Sequence, residues 1–424
     1  MKEIYSLVEK LFPIHRSITG NGVRKTLQII KDIIPIDIKE VKSGTKVYDW
    51  TIPDEWNISD AYIKDSRGNK IVDFNKCNLH IVSYSEPFHG KITLKELKDH
   101  LFSISEHPEW VPYVTSYYNR MWGFCVSHDT LTSLKDDIYE VKIDSSFSEG
   151  NLTYADLVIK GTTDKEILFS TNICHPSMAN NELSGPALVT YLAKYVMGLK
   201  DRRYTYRFVF VPETIGAITY IHENKDNMVK NTVAGYVTIC TGGPENFTYM
   251  RSRDGNTLTD RLTTHILNTT ESNFTILDYC DRGSDERQYC WPGVDLPIGS
   301  LMRSKYATYN EYHTSADNLN FISAESLSLS FEKYKLCIDM LEANKTYIVD
   351  TICEPQLGKR GLYPTLSVKN SIDFVKDMRN VLVFCDGKHD LLDIADRIKK
   401  PITYVKEMTD KFLEKCIIKE VINV

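Results

Sequence analysis

The chain has no Cys-x-x-C pair, no dense cysteine framework and no apolar span long enough to cross a bilayer, and each absence removes a class of protein. Its ten cysteines stand singly (Cys77, Cys125, Cys174, Cys240, Cys280, Cys290, Cys337, Cys353, Cys385, Cys416). That usage fits reduced, mostly buried thiols in a cytoplasmic protein rather than a disulfide scaffold. Met1-Lys-Glu-Ile-Tyr-Ser-Leu-Val-Glu-Lys opens directly into an amphipathic helix with no signal-peptide apolar region, so secretion and membrane insertion are not expected. An excess of positive charge is also missing. The net charge of -6 gives no electrostatic case for nucleic acid and suits a freely soluble protein with small or polar ligands.

What is present is the composition of a globular protein, 42% hydrophobic and 25% charged, in a chain of 424 residues that is too long for one ordinary core. Residues 1 to about 34 read as two helices around a loop containing Gly20 and Gly22, and Ile36-Asp-Ile-Lys-Glu-Val alternates as a first strand. From about Gly44 to Thr130 the texture changes to aromatics and turn residues, which reads as a compact, mainly β insertion. That insertion is a structural lid, or its aromatic residues shape a specificity pocket. After it, strands and helices alternate to the long amphipathic stretch Phe321 to Asn344, an order that implies a mostly parallel sheet with helices on both faces. The expected α/β domain therefore comprises 1–43 and 131–350, with 44–130 inserted.

Past Pro355 three helical stretches, Phe374 to Phe384, Leu391 to Ile398 and Pro401 to about Lys415, precede a strand at Ile417 to Val421. This spacing predicts a winged helix over 360–424. Its third helix carries Lys406, Glu407, Asp410, Lys411 and Glu414, a mixed charge that points to a protein contact, or a second copy of the chain, rather than DNA.

Four stretches carry groups suited to chemistry. The buried strand around Phe169-Ser-Thr runs into a polar loop and helix start with His175, Asn181 and Glu182, at the strand end where ligands bind in open α/β sheets. Asn181 and Glu182 serve equally well as helix caps. Glu213 again places an acid at a strand end, as a general base or as a cap for the following helix. Asp285, Glu286 and Arg287 form a charged loop, either for substrate contacts or as a solvated ion network. Tyr312 and His313 precede the long helix in a polar loop where a histidine is better placed as a ligand than as core, while Ser315 and Asp317 look like helix-start residues.

Taken together these blocks resemble the zinc aminopeptidases, the family that includes the glutamate carboxypeptidases. The resemblance rests on His175, on Asn181 ahead of Glu-Leu-Ser184-Gly185, on Glu213-Thr214, on Ser284-Asp285 and on Tyr312-His313-Thr314-Ser-Ala-Asp317. More narrowly, the chain is similar to bacterial aminopeptidase-like proteins linked to surface-polysaccharide gene clusters, with an inserted β-rich domain and a C-terminal winged helix. The resemblance implies a zinc-dependent exopeptidase fold. Three departures limit it: the metal-bridging Asp is Asn181, the second Glu of the pair is Thr214, and the strand Gly235-Tyr-Val-Thr-Ile-Cys-Thr lacks the Asp of a second metal site. What it implies is therefore one zinc ion held by His175, His313 and Glu182, with Glu213 as general base. Asn181, Asp285, Glu286, Arg287 and Tyr312 are the expected substrate contacts. The expected substrate is a small peptide or an amino-acid or amino-sugar derivative cleaved at an N-terminal peptide or amide bond. The other reading is a catalytically inactive scaffold that binds a carbohydrate, a peptide or a protein partner.

Overall fold

A computed structural model describes residues 2–363 and 369–421 of the chain. Met1 of the expected first helix, and 364–368 and 422–424 of the expected winged-helix segment, lie outside the described residues. The chain divides into one unit of Met1–Gly255 with Thr275–Glu332 and a second of Asn256–Phe274 with Lys333–Val424.

The first unit is organised by a sheet that, among the described residues, has eight strands. Their order is Asp37–Lys42, Asn151–Ile159, Thr205–Val211, Glu166–Asn172, Thr232–Val237, Ile298–Arg303, Phe247–Met250 and Phe274–Leu277. The strands Thr205–Val211, Glu166–Asn172, Thr232–Val237 and Ile298–Arg303 pair in parallel, and antiparallel pairs flank them on both sides. The expected mostly parallel sheet is thus parallel at its centre only. Every residue of Glu166–Asn172 and Thr205–Val211 is buried, as strands covered on both faces require. From Glu166–Asn172 the chain crosses by helix Ser184–Gly198 to Thr205–Val211 on one side. It then returns by helix Ile215–Asn231 to Thr232–Val237 on the other. Right-handed crossovers in opposite directions put these two helices on opposite faces. The carboxyl ends of the parallel strands share one edge, and His175, Glu213 and Cys240 follow three of them.

The insertion is built on a four-stranded antiparallel sheet, Lys70–Asp73, Glu55–Lys64, Ile138–Ser148 and Phe88–Thr93. Its strand Ile138–Ser148 comes from beyond the expected limit at residue 130. Tyr139, Val141 and Ile143 alternate into the core of this sheet, so the same alternation that suggested a strand of the main sheet serves the inserted one.

In the second unit the expected three helices are Lys369–Phe384, Leu391–Ile398 and Ile402–Glu414. A sheet of Asp386–Asp390, Thr346–Val349 and Ile418–Glu420 accompanies them, with Thr346–Val349 in the middle. That middle strand precedes the expected boundary at 360, because four residues with one buried side chain leave too faint a pattern to read. His265 of helix Leu258–Thr270 pairs its Nδ1 with Asp396 at 2.7 Å and accepts the Ile402 N–H on Nε2 at 2.9 Å, fixing the start of the last helix. No helix among the described residues is long and apolar enough to cross a membrane.

Candidate functional site

The loop after Glu166–Asn172 does not pass straight into a regular helix. Ala179–Leu183 forms a π-helical turn, closed by the Leu183 N–H donating to Met178 O at 3.0 Å, and such turns recur at functional sites. The wider turn carries Glu182 back toward His175. Glu182 is fully buried and spends both oxygens there: the His175 backbone N–H donates to Oε1 at 2.9 Å and the ring Nδ1–H to Oε2 at 2.7 Å. Nδ1 is thereby engaged, and Nε2 on the other side of the ring lies 3.8 Å from Glu213 Oε2. Arg16, buried in the N-terminal loop, donates from Nε to the His175 carbonyl at 3.0 Å and holds the loop from behind.

Asp317 clamps the turn from the other side. Its carboxylate accepts the N–H groups of Asn180 (2.6 Å) and Asn181 (2.9 Å) and the Tyr309 hydroxyl (3.0 Å). The sequence reads Asp317 as the start of its own helix, but the long helix begins at Ala324. The unpaired donors that Asp317 meets belong to the π turn.

Glu213 follows Thr205–Val211. Ser284 donates its hydroxyl to Oε1 at 3.0 Å, and the Glu213 N–H reaches Cys174 Sγ at 3.2 Å. Thr214 then turns sharply, at φ 64° and ψ -77°, with the Ile215 N–H on Glu213 O at 2.8 Å. This is a γ-turn, strained for a β-branched residue. Asp285 accepts the Thr214 N–H at 2.7 Å, and Arg287 donates to the Thr214 hydroxyl at 3.0 Å. Asp285 and Glu286, expected as substrate contacts, are both buried. Glu286 Oε1 accepts the N–H groups of Gly283 and Ser284 and the Tyr306 hydroxyl. Each of the two acids keeps one oxygen without a protein partner.

His313 arrives from the loop before the long helix. Its ring centre lies 5.3 Å from that of His175, and Tyr312 stacks on it at 3.9 Å. Asn181 Nδ2 lies 3.3 Å from His313 Nε2 and donates to it. The insertion supplies a residue that sequence reasoning does not assign to the site. Tyr113 sets its ring 5.1 Å from His175 and 5.2 Å from His313. Its N–H donates to the His313 carbonyl at 2.8 Å, and Val111 and Ser315 exchange two further hydrogen bonds. The only sequence signal for it is its place in the aromatic-rich stretch from Gly44 to Thr130.

Electrostatics follow from burial. His313 is pushed down to about 3, by burial first and then by His175. Burial also opposes a charge on His175, but Cys174, Tyr113 and Glu182 outweigh it and raise its pKa well above that of a free imidazole. Burial pushes the Cys174 thiol up to about 12. Burial raises the Glu213 carboxyl against the opposing pull of His175 and Arg287.

Among the described residues, the one group of three His, Cys, Asp or Glu side chains with ligand atoms within 4.8 Å is Cys174, His175 and Glu182; His313 and Glu213 do not join it. That group sits on the Nδ1 side of His175, where the thiol is protonated and both Glu182 oxygens are used. A buried carboxylate behind Nδ1 is, however, the arrangement that orients a metal-ligating imidazole. By donor type this loop is a possible metal site, and the ring nitrogen not engaged by Glu182 is Nε2 of His175, which faces Glu213.

Residues 5–344 match the family described as a domain of unknown function (DUF4910). The chain belongs to this family. Residues 324–420 match a winged helix-turn-helix family. A Clostridium acetobutylicum protein, provisionally named for polysaccharide biosynthesis with an aminopeptidase-like domain, is 47% identical over 96% of this chain and 94% of its own length. A C. acetobutylicum crystal structure, provisionally named a peptidase, is 46% identical with a TM-score of 0.94, covering 99% of this chain and 96% of that one. A zinc aminopeptidase from Bacillus subtilis, 12% identical, covers 80% of this chain and 95% of its own with a TM-score of 0.58. The DUF4910 chain thus has the aminopeptidase-like α/β fold and C-terminal winged helix that its sequence resembles.

Proposed function

We propose that this chain is an aminopeptidase-like hydrolase that works with a single zinc ion and cleaves an N-terminal peptide or amide bond. The observation that carries this reading is His175, oriented through Nδ1 by buried Glu182 so that Nε2 faces the strand-end acid Glu213 at 3.8 Å. His175 and His313 are the residues that would hold the ion, with Glu182 orienting His175 rather than binding the ion itself. Bound zinc supplies Lewis acidity and an acidified water. Glu213, with its proton affinity raised by burial, takes the proton from the attacking water and returns it to the leaving amine. Ser284 fixes one oxygen of Glu213, and Asp285 and Glu286 hold the turns that aim it. Arg287, Tyr312 and Asn181 are left for substrate contact, and Tyr113 closes the site to large side chains. The substrate is a small peptide or an amino-acid or amino-sugar derivative, met in the cytoplasm. The name of the Clostridium relative supports a role in polysaccharide biosynthesis, with the winged-helix unit contacting a protein partner.

One observation favours a second reading, a scaffold that binds without catalysis: the Asn181 amide occupies the Nε2 lone pair of His313 that a metal would need. Metal analysis of chelator-free protein separates the two. The hydrolase reading expects close to one equivalent of zinc and, for Glu213→Gln, a loss of turnover of about 100-fold or more with zinc retained. Zinc below about a tenth of an equivalent, with no rise in Tm on adding zinc, decides for the scaffold.

A further inference from the structure

The same unit also holds a trough, rich in hydroxyl and amide side chains, that the chemistry above does not use. Two adjoining cavities of about 290 Å³ and about 600 Å³ share His15, Asn21, Gly22 and Ile58. Ser17, Thr19, Asn57, Ser59 and Ser146 line the smaller, beside Trp56. Asn75, Asn78, Asn318, Ser177 and Ser315 share the lining of the larger with apolar Phe12, Ile14, Phe74 and Leu79.

The walls are held in place by the tight loop of residues 15–22. Gly20 has φ 99°, and a Cβ there would lie 2.3 Å from Trp56 O. At Gly22 it would lie 1.8 Å from His15 O. Ser17 and Ser83 hydroxyls pair at 2.6 Å, the Trp56 N–H donates to the Thr19 hydroxyl at 3.0 Å, and the Asn21 N–H donates to Asn57 Oδ1 at 2.8 Å. These bonds lock the N-terminal loop to the inserted sheet, so the trough exists before any ligand arrives.

Its lining selects a chemical class. Hydroxyl and amide side chains both donate and accept, and they outnumber the charged lining groups, Asp144, Lys25 and Lys76. A polyanion finds too little positive charge, and an apolar ligand would strand the polar groups. Two buried atoms of lining residues, His15 Nε2 and Asn78 Oδ1, have no partner within the protein, a condition that buried polar atoms rarely keep. We infer that this trough is a binding site for a short neutral oligosaccharide, whose hydroxyls pair with the Ser and Asn walls. Ser177 and Ser315, each two residues from a site histidine, line the larger cavity. The saccharide therefore lies against the loops that carry His175 and His313 without entering their site, and its binding does not depend on the hydrolase reading.

Saturation-transfer NMR on the full chain, with maltotriose and N,N′-diacetylchitobiose as probes and tetra-alanine as the peptide control, tests this. At least one saccharide is expected to bind with a millimolar or tighter Kd. Ser146→Trp and Ser59→Trp, both bulky changes at exposed positions, are each expected to weaken it about tenfold or more while the Tm stays unchanged. Glu213→Gln is expected to retain binding. Four results overturn the proposal. They are no saccharide response at about 10 mM, affinity unaffected by both Trp variants, loss of binding in Glu213→Gln, and tetra-alanine binding that the Trp variants abolish, which gives the trough to peptides.

Discussion

Burying a carboxylate is costly unless it is hydrogen-bonded, and Glu182 directs both of its oxygens at one histidine. Glu182→Gln keeps the volume but replaces one of the two carboxylate oxygens that hold His175 with an amide nitrogen. Zinc affinity, measured by competition with a chelator, is expected to fall about 10- to 100-fold, with a Tm loss of only a few degrees. An unchanged affinity would place the metal donors elsewhere. In the sequence His175 and Glu182 are visible in one strand-end loop, but they stand seven positions apart, and only the π turn of Ala179–Leu183 brings them face to face. Asp285 and Glu286 mislead for a related reason. A charged loop reads as a surface, whereas here the N–H groups of Thr214, Gly283 and Ser284 draw both acids inward.

Helix Ser184–Gly198 sits close to the sheet because its second residue has no side chain. A Cβ on Gly185 would lie 2.3 Å from Thr238 O and 2.4 Å from Thr171 Oγ1, both in the buried interior. Gly185→Ala is therefore expected to destabilise the unit by about 3 kcal/mol or more, read as the loss of urea-unfolding free energy, although alanine is the better helix former. A stability equal to the parent would mean that the helix shifts freely, and that Glu182 is not held by it. Elements of this kind, long and with continuous apolar runs, are legible from residue pattern. Thr346–Val349 and the polar strand Asp386–Asp390 are not, because their pairing, rather than any hydrophobic alternation, makes them strands.

At the scale of the molecule, the junction between the N-terminal loop and the insertion sets a dependence on acid. His15 packs against Trp56 and Phe74, and burial, reinforced by the Arg16 charge, lowers its pKa from 6.5 to about 3. Between those values the unfolded chain holds a proton that the folded one lacks. The contribution of His15 to stability is thus complete above about pH 6.5 and declines as pH falls toward 3. Unfolding free energies measured at about pH 7 and about pH 5 are expected to differ, and His15→Gln to flatten the difference. Equal slopes in the two proteins would assign the acid sensitivity to other groups. The order of domains is legible in the sequence, but the limits of the insertion are not, since Ile138–Ser148 alternates equally well for either sheet.

Tyr113 leans on both histidines while its backbone is laced to residues 313–315. The insertion is therefore not an ornament that relatives can trade without consequence. A chimera that exchanges it exchanges one wall of the site around His175 and His313 along with the donor's fold.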